Sequence, residues 1–367
     1  MNERESLLVL MENALKEQKK TLEFESLEQI ISDEKKCAEI LKNVLNDPSF
    51  KITNGELYEV SQGRAQHSII NYVLGLVFRK FADLFDGIDK VVQKRIMSDK
   101  GAADEAWFLI ALNHDVGYFC KDILSGKEIE YEKDYTYYLF KDDYAKPYES
   151  LNNMSSQAPE LYAFSYSDIL EYDEKDRKRR KNNPDNKEKI NHGIYGGQYY
   201  FNRMLQKFDK KGNVEDKEVK MVKAVAITIA QHNMYKSGSP KDNHFYPDKL
   251  HYESNFVINE DYPLLLFLAL IDTVECVKKL GKTANRKCFF QAKTVLKSIR
   301  VRVESDSIEI DYSELKSRLD RKNDENLKRN YNDYMGAVKG LDKWTRFEAV
   351  EKEDVLRIHM KPRHENN

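Results

Sequence analysis

Cysteine is scarce in this 367-residue sequence, and no two cysteines form a CxxC pair. The four cysteines are Cys37, Cys120, Cys276 and Cys288. At least Cys120 and Cys276 lie in apolar segments with helical spacing, which predicts reduced thiols inside a core. Reduced thiols are typical of cytosolic proteins, so we expect a cytoplasmic setting.

The sequence also lacks a long apolar run. Its most apolar stretch, residues 263 to 271, is far shorter than the about 20 residues that a membrane-spanning helix needs. The first residues, MNERE, show no basic region followed by an apolar run, so we expect no signal peptide. These two features predict a soluble chain without a membrane partner.

Neither sign of charge is in large excess. Lysine and arginine number 60, aspartate and glutamate number 62, and the formal net charge is -2. This balance does not attract nucleic acid or acidic membranes globally, so such an affinity would need a local patch. The basic run from Lys175 to Lys181 is the candidate patch for nucleic acid, and a solvated helix end or loop is the alternative interpretation.

The spacing of apolar residues predicts a mainly α-helical fold. Ile70, Val73, Leu74 and Val77, for example, recur at the three- and four-residue intervals of one helix face. The predicted helical segments are 3–47 with a break near Ser32-Asp33, 66–85, 103–124, 192–208 with Asn191 as N-cap, 219–231 and 262–280.

The apolar period changes after residue 298. Apolar and charged residues alternate over 299–303 and again over 308–312, which predicts a β-hairpin. A polar helix over 313–341 and a strand over 355–360 follow, so we expect a small C-terminal α+β appendage. The predicted domains are an N-terminal helical segment (1–50), a main domain (51–297, with an insertion at about 126–190) and the appendage (298–367).

His114 and Asp115 stand side by side in a segment that is otherwise apolar. Burying an imidazole and a carboxylate there is costly unless something binds both, and a metal ion is the most economical partner. Similar segments carry further candidate ligands, which are His67, His192, His232 and Asp272. One buried histidine alone is more often a hydrogen-bonded core residue, but the joint set favours metal binding. Histidine and carboxylate ligands without thiolates favour manganese, iron, nickel, cobalt, magnesium or zinc in a non-structural site.

The order H, HD, H, H, D resembles that of the HD superfamily of metal-dependent phosphohydrolases. The matching pieces are RAQHS at 64–68, NHDVG at 113–117, NHG at 191–193, AQHN at 230–233 and LID at 270–272. The resemblance spans roughly residues 55 to 285 and implies a helical HD-domain core. It also implies that His67, His114, Asp115 and Asp272 hold a first divalent ion. His192 and His232 resemble the extra ligands of two-metal members, in which the HD aspartate, here Asp115, bridges both ions and so takes part in catalysis.

The resemblance implies a reaction as well, the hydrolysis of a phosphate ester by a metal-activated hydroxide. A nucleotide or cyclic nucleotide is the expected substrate. Arg64 lies one helical turn before His67, and its planar guanidinium matches phosphate oxygens, so we expect it to bind substrate. Lys121, one to two turns after Asp115, is a weaker candidate for the same catalytic and substrate-binding role.

Two alternatives stay open at this point. A metal-dependent nuclease acting on single-stranded nucleic acid would use the basic run before His192. A non-catalytic module that binds a nucleotide or a partner protein would need no chemistry, yet the sequence retains a full set of metal-type side chains. Tyr118 stands where the HD-GYP group carries lysine, so that group's substrate cannot be transferred to this chain.

Overall fold

The mainly α-helical class is confirmed. A computed structural model describes residues 4–17, 26–46, 62–79, 81, 90, 101–117, 192–193, 196–197, 199–201, 204, 216–232, 263–281 and 289–361. Of these residues 71% are helical and 14% lie in strands. The chain forms two compact units. Unit 1 comprises Met1–Asp47, Asn54–Leu112 and Val257–Asn367, and unit 2 comprises Pro48–Thr53 and Asn113–Phe256.

Helices form most of unit 1, and one of them ends at Asn113, the first residue of the second segment of unit 2. The helices are Leu7–Glu17, Leu27–Ile31, Glu34–Asn46, Gln62–Phe78, Ala102–Asn113, Pro263–Val274, Val277–Leu280, Ala292–Lys297, Ser313–Lys322 and Glu325–Lys339, followed by a 3-10 turn at Gly340–Lys343.

Among the described N-terminal residues, Leu7–Glu17, Leu27–Ile31 and Glu34–Asn46 are helical with the predicted break near Ser32-Asp33, whereas Glu5–Ser6 form a strand in place of the predicted helix start. The Asp33 carboxylate accepts hydrogen bonds from the backbone N–H groups of Lys35 (2.9 Å) and Lys36 (3.2 Å), so it caps the helix that begins at Glu34. The break therefore has a local cause, a side chain that satisfies the first free N–H groups of the second helix.

Unit 1 contains a five-stranded antiparallel sheet, four strands of which come from the C-terminal region. Its strands are β1 (Glu5–Ser6), β2 (Arg300–Val303), β3 (Ser307–Asp311), β4 (Phe347–Lys352) and β5 (Val355–Met360), in the order β1-β2-β3-β5-β4. The predicted hairpin is β2–β3 and the predicted last strand is β5. The sequence did not reveal β1 or β4. β1 has two residues, too few to show an alternation. β4 ends in three exposed residues, Val350, Glu351 and Lys352, so its second half shows no alternation of buried and exposed positions.

Two predicted helices are each divided in the structure. The predicted polar helix over 313–341 ends at Lys322, because Asn323 adopts the left-handed conformation (φ 47°) and Asp324 caps the next helix by accepting from Leu327 N–H at 3.0 Å. The predicted helix over 262–280 breaks after Val274, where the Glu275 carboxylate accepts from Val277 N–H at 2.6 Å. Both divisions come from a polar side chain that bonds the backbone locally.

The helix with His67 is fixed by close packing. Gly75 lies against the indole of Trp107, and a Cβ atom at Gly75 would overlap that ring. Trp107 Nε1 donates to Tyr72 O at 3.2 Å. All twelve residues of Pro263–Val274, including Asp272, are buried. Trp107 also meets the ring of Phe267 at 4.6 Å between centroids, so within unit 1 it packs against both the helix that carries His67 and the helix that carries Asp272.

The described helix of unit 2 is Asp216–Gln231, and its predicted bounds were 219–231. The described residues of the predicted 192–208 helix are all helical. The predicted HD helix over 103–124 is wrong at its centre, because the helix ends at Asn113 and His114 and Asp115 form a turn. A regular helix would separate consecutive side chains by about 100°. In the turn His114 Nε2 lies 3.7 Å from Asp115 Oδ1.

Some predictions fall on residues that the structure does not describe. These are Lys121, the basic run Lys175 to Lys181, the insertion at about 126–190, Asn191, Cys120 and Cys288. The predicted domain boundaries stay a prediction. Cys37 and Cys276 are buried free thiols, and burial raises the pKa of Cys37 to about 12. None of the helices in the described ranges is long and apolar enough to cross a membrane.

Candidate metal centre

Unit 2 gathers four of the predicted ligands into one buried group, here called the histidine–aspartate cluster: His114, Asp115, His192 and His232. Asp115 Oδ1 lies 3.6 Å from His192 Nε2 and 3.8 Å from His232 Nε2. The two histidine Nε2 atoms are 3.2 Å apart, and the His114 and His232 rings meet edge to face at 5.3 Å between centroids. Three ring nitrogens therefore surround one carboxylate oxygen.

The orientation of His232 is set by the end of its helix. Its Nδ1 lies 2.6 Å from the carbonyl oxygen of Ile229, three residues earlier. Because a carbonyl oxygen only accepts, Nδ1 carries the proton, and in the neutral ring Nε2 presents a lone pair. That lone pair is on the side of His192 and Asp115.

Gly117 brings the chain after Asp115 against the backbone of His192. A Cβ atom at Gly117 would overlap the carbonyl oxygen of His192, and Gly196 N is also close. Only glycine fits this approach without displacing the backbone. The NHDVG piece therefore supplies both a carboxylate ligand candidate and the small residue that lets His192 come near it.

The donor atoms of the cluster fit a metal ion. Asp115 offers a carboxylate oxygen, and His192 and His232 each offer a ring nitrogen. These three atoms lie within 4.8 Å of one another. Atoms that share an ion at bonds of about 2.0 to 2.1 Å lie about 2.8 to 3.4 Å apart in octahedral or tetrahedral geometry. The 3.2 Å distance between the histidine nitrogens falls in this range, and Asp115 would need to approach by a few tenths of an ångström. Histidine and carboxylate donors suit divalent first-row metals.

Unit 1 brings together the other two predicted ligands, here called the His67–Asp272 pair. His67 Nε2 is 2.9 Å from Asp272 Oδ1, and the two side chains are 4% and 1% exposed. The Asn71 amide nitrogen faces both atoms, at 3.2 Å from Nε2 and 3.4 Å from Oδ1. Asn71 lies one helical turn after His67, which was the available sequence signal for it.

Glu275 is a functional candidate that the sequence did not reveal. It is 3% exposed, and its Oε2 lies 2.8 Å from His67 Nδ1. Since an ionised carboxylate only accepts, His67 Nδ1 donates to it and Nε2 is turned toward Asp272. A carboxylate on the far nitrogen of a histidine is the usual support of a metal-binding imidazole. The sequence signal for Glu275 was its position three residues after Asp272. The predicted helix over 262–280 continues through Glu275, so the sequence did not show that the helix breaks there.

Arg64 lies in the helix Gln62–Phe78, three residues before His67, and is half-buried. The predicted helix began at Gln66, so the structure places Arg64 and His67 on one continuous helix. Its substrate-binding role stays a prediction.

The sequence matches no family model, and neither a curated protein nor a solved structure shows a significant match to it. The resemblance to the HD superfamily therefore depends on the order of its motifs. The structure supports the coarser statement that buried histidine and aspartate side chains could hold a metal ion.

Proposed function

We propose that the protein is a metal-dependent phosphohydrolase or phosphodiesterase of the HD type, with a nucleotide or cyclic nucleotide as substrate. The observation that carries this proposal is the buried group of Asp115, His192 and His232, whose donor atoms fit one ion. Burying these polar side chains is costly without a cation, and a binding module without chemistry has no need of them.

The proposed ligand set follows the resemblance. His67, His114, Asp115 and Asp272 would hold one ion, and Asp115, His192 and His232 a second. Divalent ions held there would supply a nucleophile near neutral pH and would offset charge on phosphoryl oxygens.

The side chains of this protein contribute orientation and charge. The Ile229 carbonyl holds His232 in the tautomer that leaves Nε2 as an acceptor, and Glu275 does the same for His67. The guanidinium of Arg64 would bind two phosphate oxygens at once, which fixes the orientation of the ester.

Metal analysis combined with one substitution tests the proposed site. We expect about one to two transition-metal equivalents per chain in protein purified without chelators. Asp115→Ala should lose most of this metal, because Asp115 would contact both ions. Asp333→Ala, an exposed change in the helix Glu325–Lys339, is the matched control and should keep it. Protein that carries no metal and binds none on titration would refute the proposal.

A hydrolysis screen with Arg64→Lys tests the reaction. The substrates are nucleotides, cyclic nucleotides, cyclic dinucleotides and single-stranded DNA and RNA. Lysine keeps the charge but not the two-point geometry, so metal content should stay constant while kcat/KM falls about tenfold or more. Turnover confined to single-stranded nucleic acid would favour the nuclease alternative. Metal binding without turnover of any substrate would favour the non-catalytic module.

A further inference from the structure

The ammonium group of Lys278 lies beside the His67–Asp272 pair and faces one acceptor atom of each residue. Lys278 Nζ lies 3.3 Å from His67 Nε2 and 3.4 Å from Asp272 Oδ1. The sequence pattern did not single out this lysine, which stands six residues after Asp272 in the short helix Val277–Leu280.

The position of this ammonium conflicts with a metal ion on the same two atoms. An ion about 2.1 Å from His67 Nε2 would lie at most about 5.4 Å from Nζ, the sum of that bond and the 3.3 Å separation. Two cations at such a distance, beside side chains that are almost fully buried, repel each other strongly. Lys278 has to move for an ion to be held by the pair.

The exposure of the three side chains shows where Lys278 can go. His67 and Asp272 are 4% and 1% exposed, whereas Lys278 is 35% exposed. The four-carbon stem of a lysine has rotatable bonds, so the ammonium can turn outward into water while the backbone stays in place.

We propose that Lys278 and a divalent metal ion exchange at the His67–Asp272 pair. The ammonium neutralises the pair in the metal-free chain, and the entering ion displaces it toward solvent. In this displaced position the ammonium faces the phosphate group of a substrate that approaches the ion, and it binds the phosphate oxygens. This inference rests on the proposed function, because it takes the His67–Asp272 pair as part of the metal site.

The test compares the manganese(II) affinity of the full-length wild type with that of full-length variants. Electron paramagnetic resonance measures the concentration of unbound manganese during a titration, from which the affinity follows. Lys278→Met should raise the affinity about tenfold or more, because the ion then no longer has to displace a competing ammonium from His67 Nε2 and Asp272 Oδ1. Lys279→Met makes the same charge change one residue further along the helix and should have little effect. In a His67→Ala background, Lys278→Met should no longer raise the affinity, since the shared site is gone.

A second titration adds inorganic phosphate to the manganese-loaded protein by calorimetry. Lys278→Met should weaken phosphate binding, while Lys278→Arg should keep most of it. Unchanged manganese affinity in Lys278→Met, with metal still bound, would overturn the exchange and leave the proposed function standing. Unchanged phosphate affinity would overturn the anion-binding role. Absence of manganese binding in every variant would overturn both the exchange and the proposed metal site.

Discussion

A histidine binds a metal through one ring nitrogen, so the partner of the other nitrogen decides whether the side chain is ready to bind. His232 and His67 show two solutions. The former uses a carbonyl of its own helix, and the latter uses the Glu275 carboxylate, which is 208 residues away in the chain. The charged partner is the stronger support, because it also favours positive charge on or beside the ring.

Glu275→Gln should weaken divalent metal binding by about 10- to 100-fold, the effect typical of losing such a supporting carboxylate. Glutamine keeps the size of the side chain but removes the charge and one acceptor. Indicator titration measures the affinity, and the nitrogen chemical shifts of His67 report which ring nitrogen is protonated. Glu39→Gln, an exposed change in unit 1, is the control. A lower melting temperature with unchanged affinity would mean that Glu275 acts only as a helix cap.

The identities of the histidine and aspartate candidates could be predicted from the sequence, because residues of that type are conspicuous in apolar segments. Glu275, Lys278 and Asn71 could not, since each is an ordinary residue of a helical surface until its neighbours are known. Their roles depend on distances to His67 across 208, 211 and 4 residues. Asn71, four residues after His67, and Glu275, three residues after Asp272, stand at spacings that a local pattern can show, whereas the contact of Lys278 with His67 depends on the fold.

At the scale of elements, helix ends determine the candidate site. His114 and Asp115 follow the end of Ala102–Asn113, His232 follows Asp216–Gln231, and Glu275 follows Pro263–Val274. Apolar periodicity predicted that these helices exist but extended two of them too far. It records which face is buried, whereas the end of a helix depends on single polar side chains and on close backbone contacts.

Gly117→Ala should damage the histidine–aspartate cluster without changing any ligand. Its Cβ would overlap the His192 carbonyl, so the backbone must shift, at a cost of about 1 to 3 kcal/mol in unfolding free energy and with weaker metal binding. Gly336→Ala is the matched control. There an added Cβ meets no described atom within 4 Å, and the helix should gain about 0.5 to 1 kcal/mol. Thermal unfolding and metal titration give the two readouts. Wild-type metal affinity in Gly117→Ala would show that the close approach is not needed.

At the scale of the whole molecule, unit 1 is built from distant parts of the sequence. Residues 1–47 and 257–367 belong to it together, and β1 pairs with β2 through Glu5 opposite Val301. The sequence showed a helical N-terminal segment and a C-terminal α+β region, but periodicity contains no information about which distant segments pack together. The pairing of β1 depends instead on a two-residue strand and on Arg4 beside it.

Arg4 ties the start of the chain to β3. Its guanidinium lies 3.1 Å from Glu309 Oε2 and 3.5 Å from Asp311 Oδ2, and Arg302 also contacts Glu309 at 2.8 Å. Partial burial raises the pKa of Glu309, but hydrogen bonds and charge from Arg4 and Arg302 outweigh it, so the pKa is lowered from 4.5. A lowered carboxyl pKa adds stability above the unfolded-state value, and this stability is lost as the pH falls through the folded-state value.

Arg4→Met should therefore destabilise unit 1 by about 1 kcal/mol near neutral pH, the scale of a partly buried ion-pair network. The difference from wild type should shrink in acid, as the pH falls through the lowered folded-state pKa of Glu309 and this carboxylate becomes protonated in both proteins. Trp107 and Trp344 are the two tryptophans of the chain and both belong to unit 1, so denaturant unfolding followed by tryptophan fluorescence reports on this unit. Arg300→Met, an exposed change in β2, controls for the loss of positive charge. If Arg4→Met is equally destabilising at both pH values, the loss comes from packing of the arginine stem and not from its ion pairs with β3.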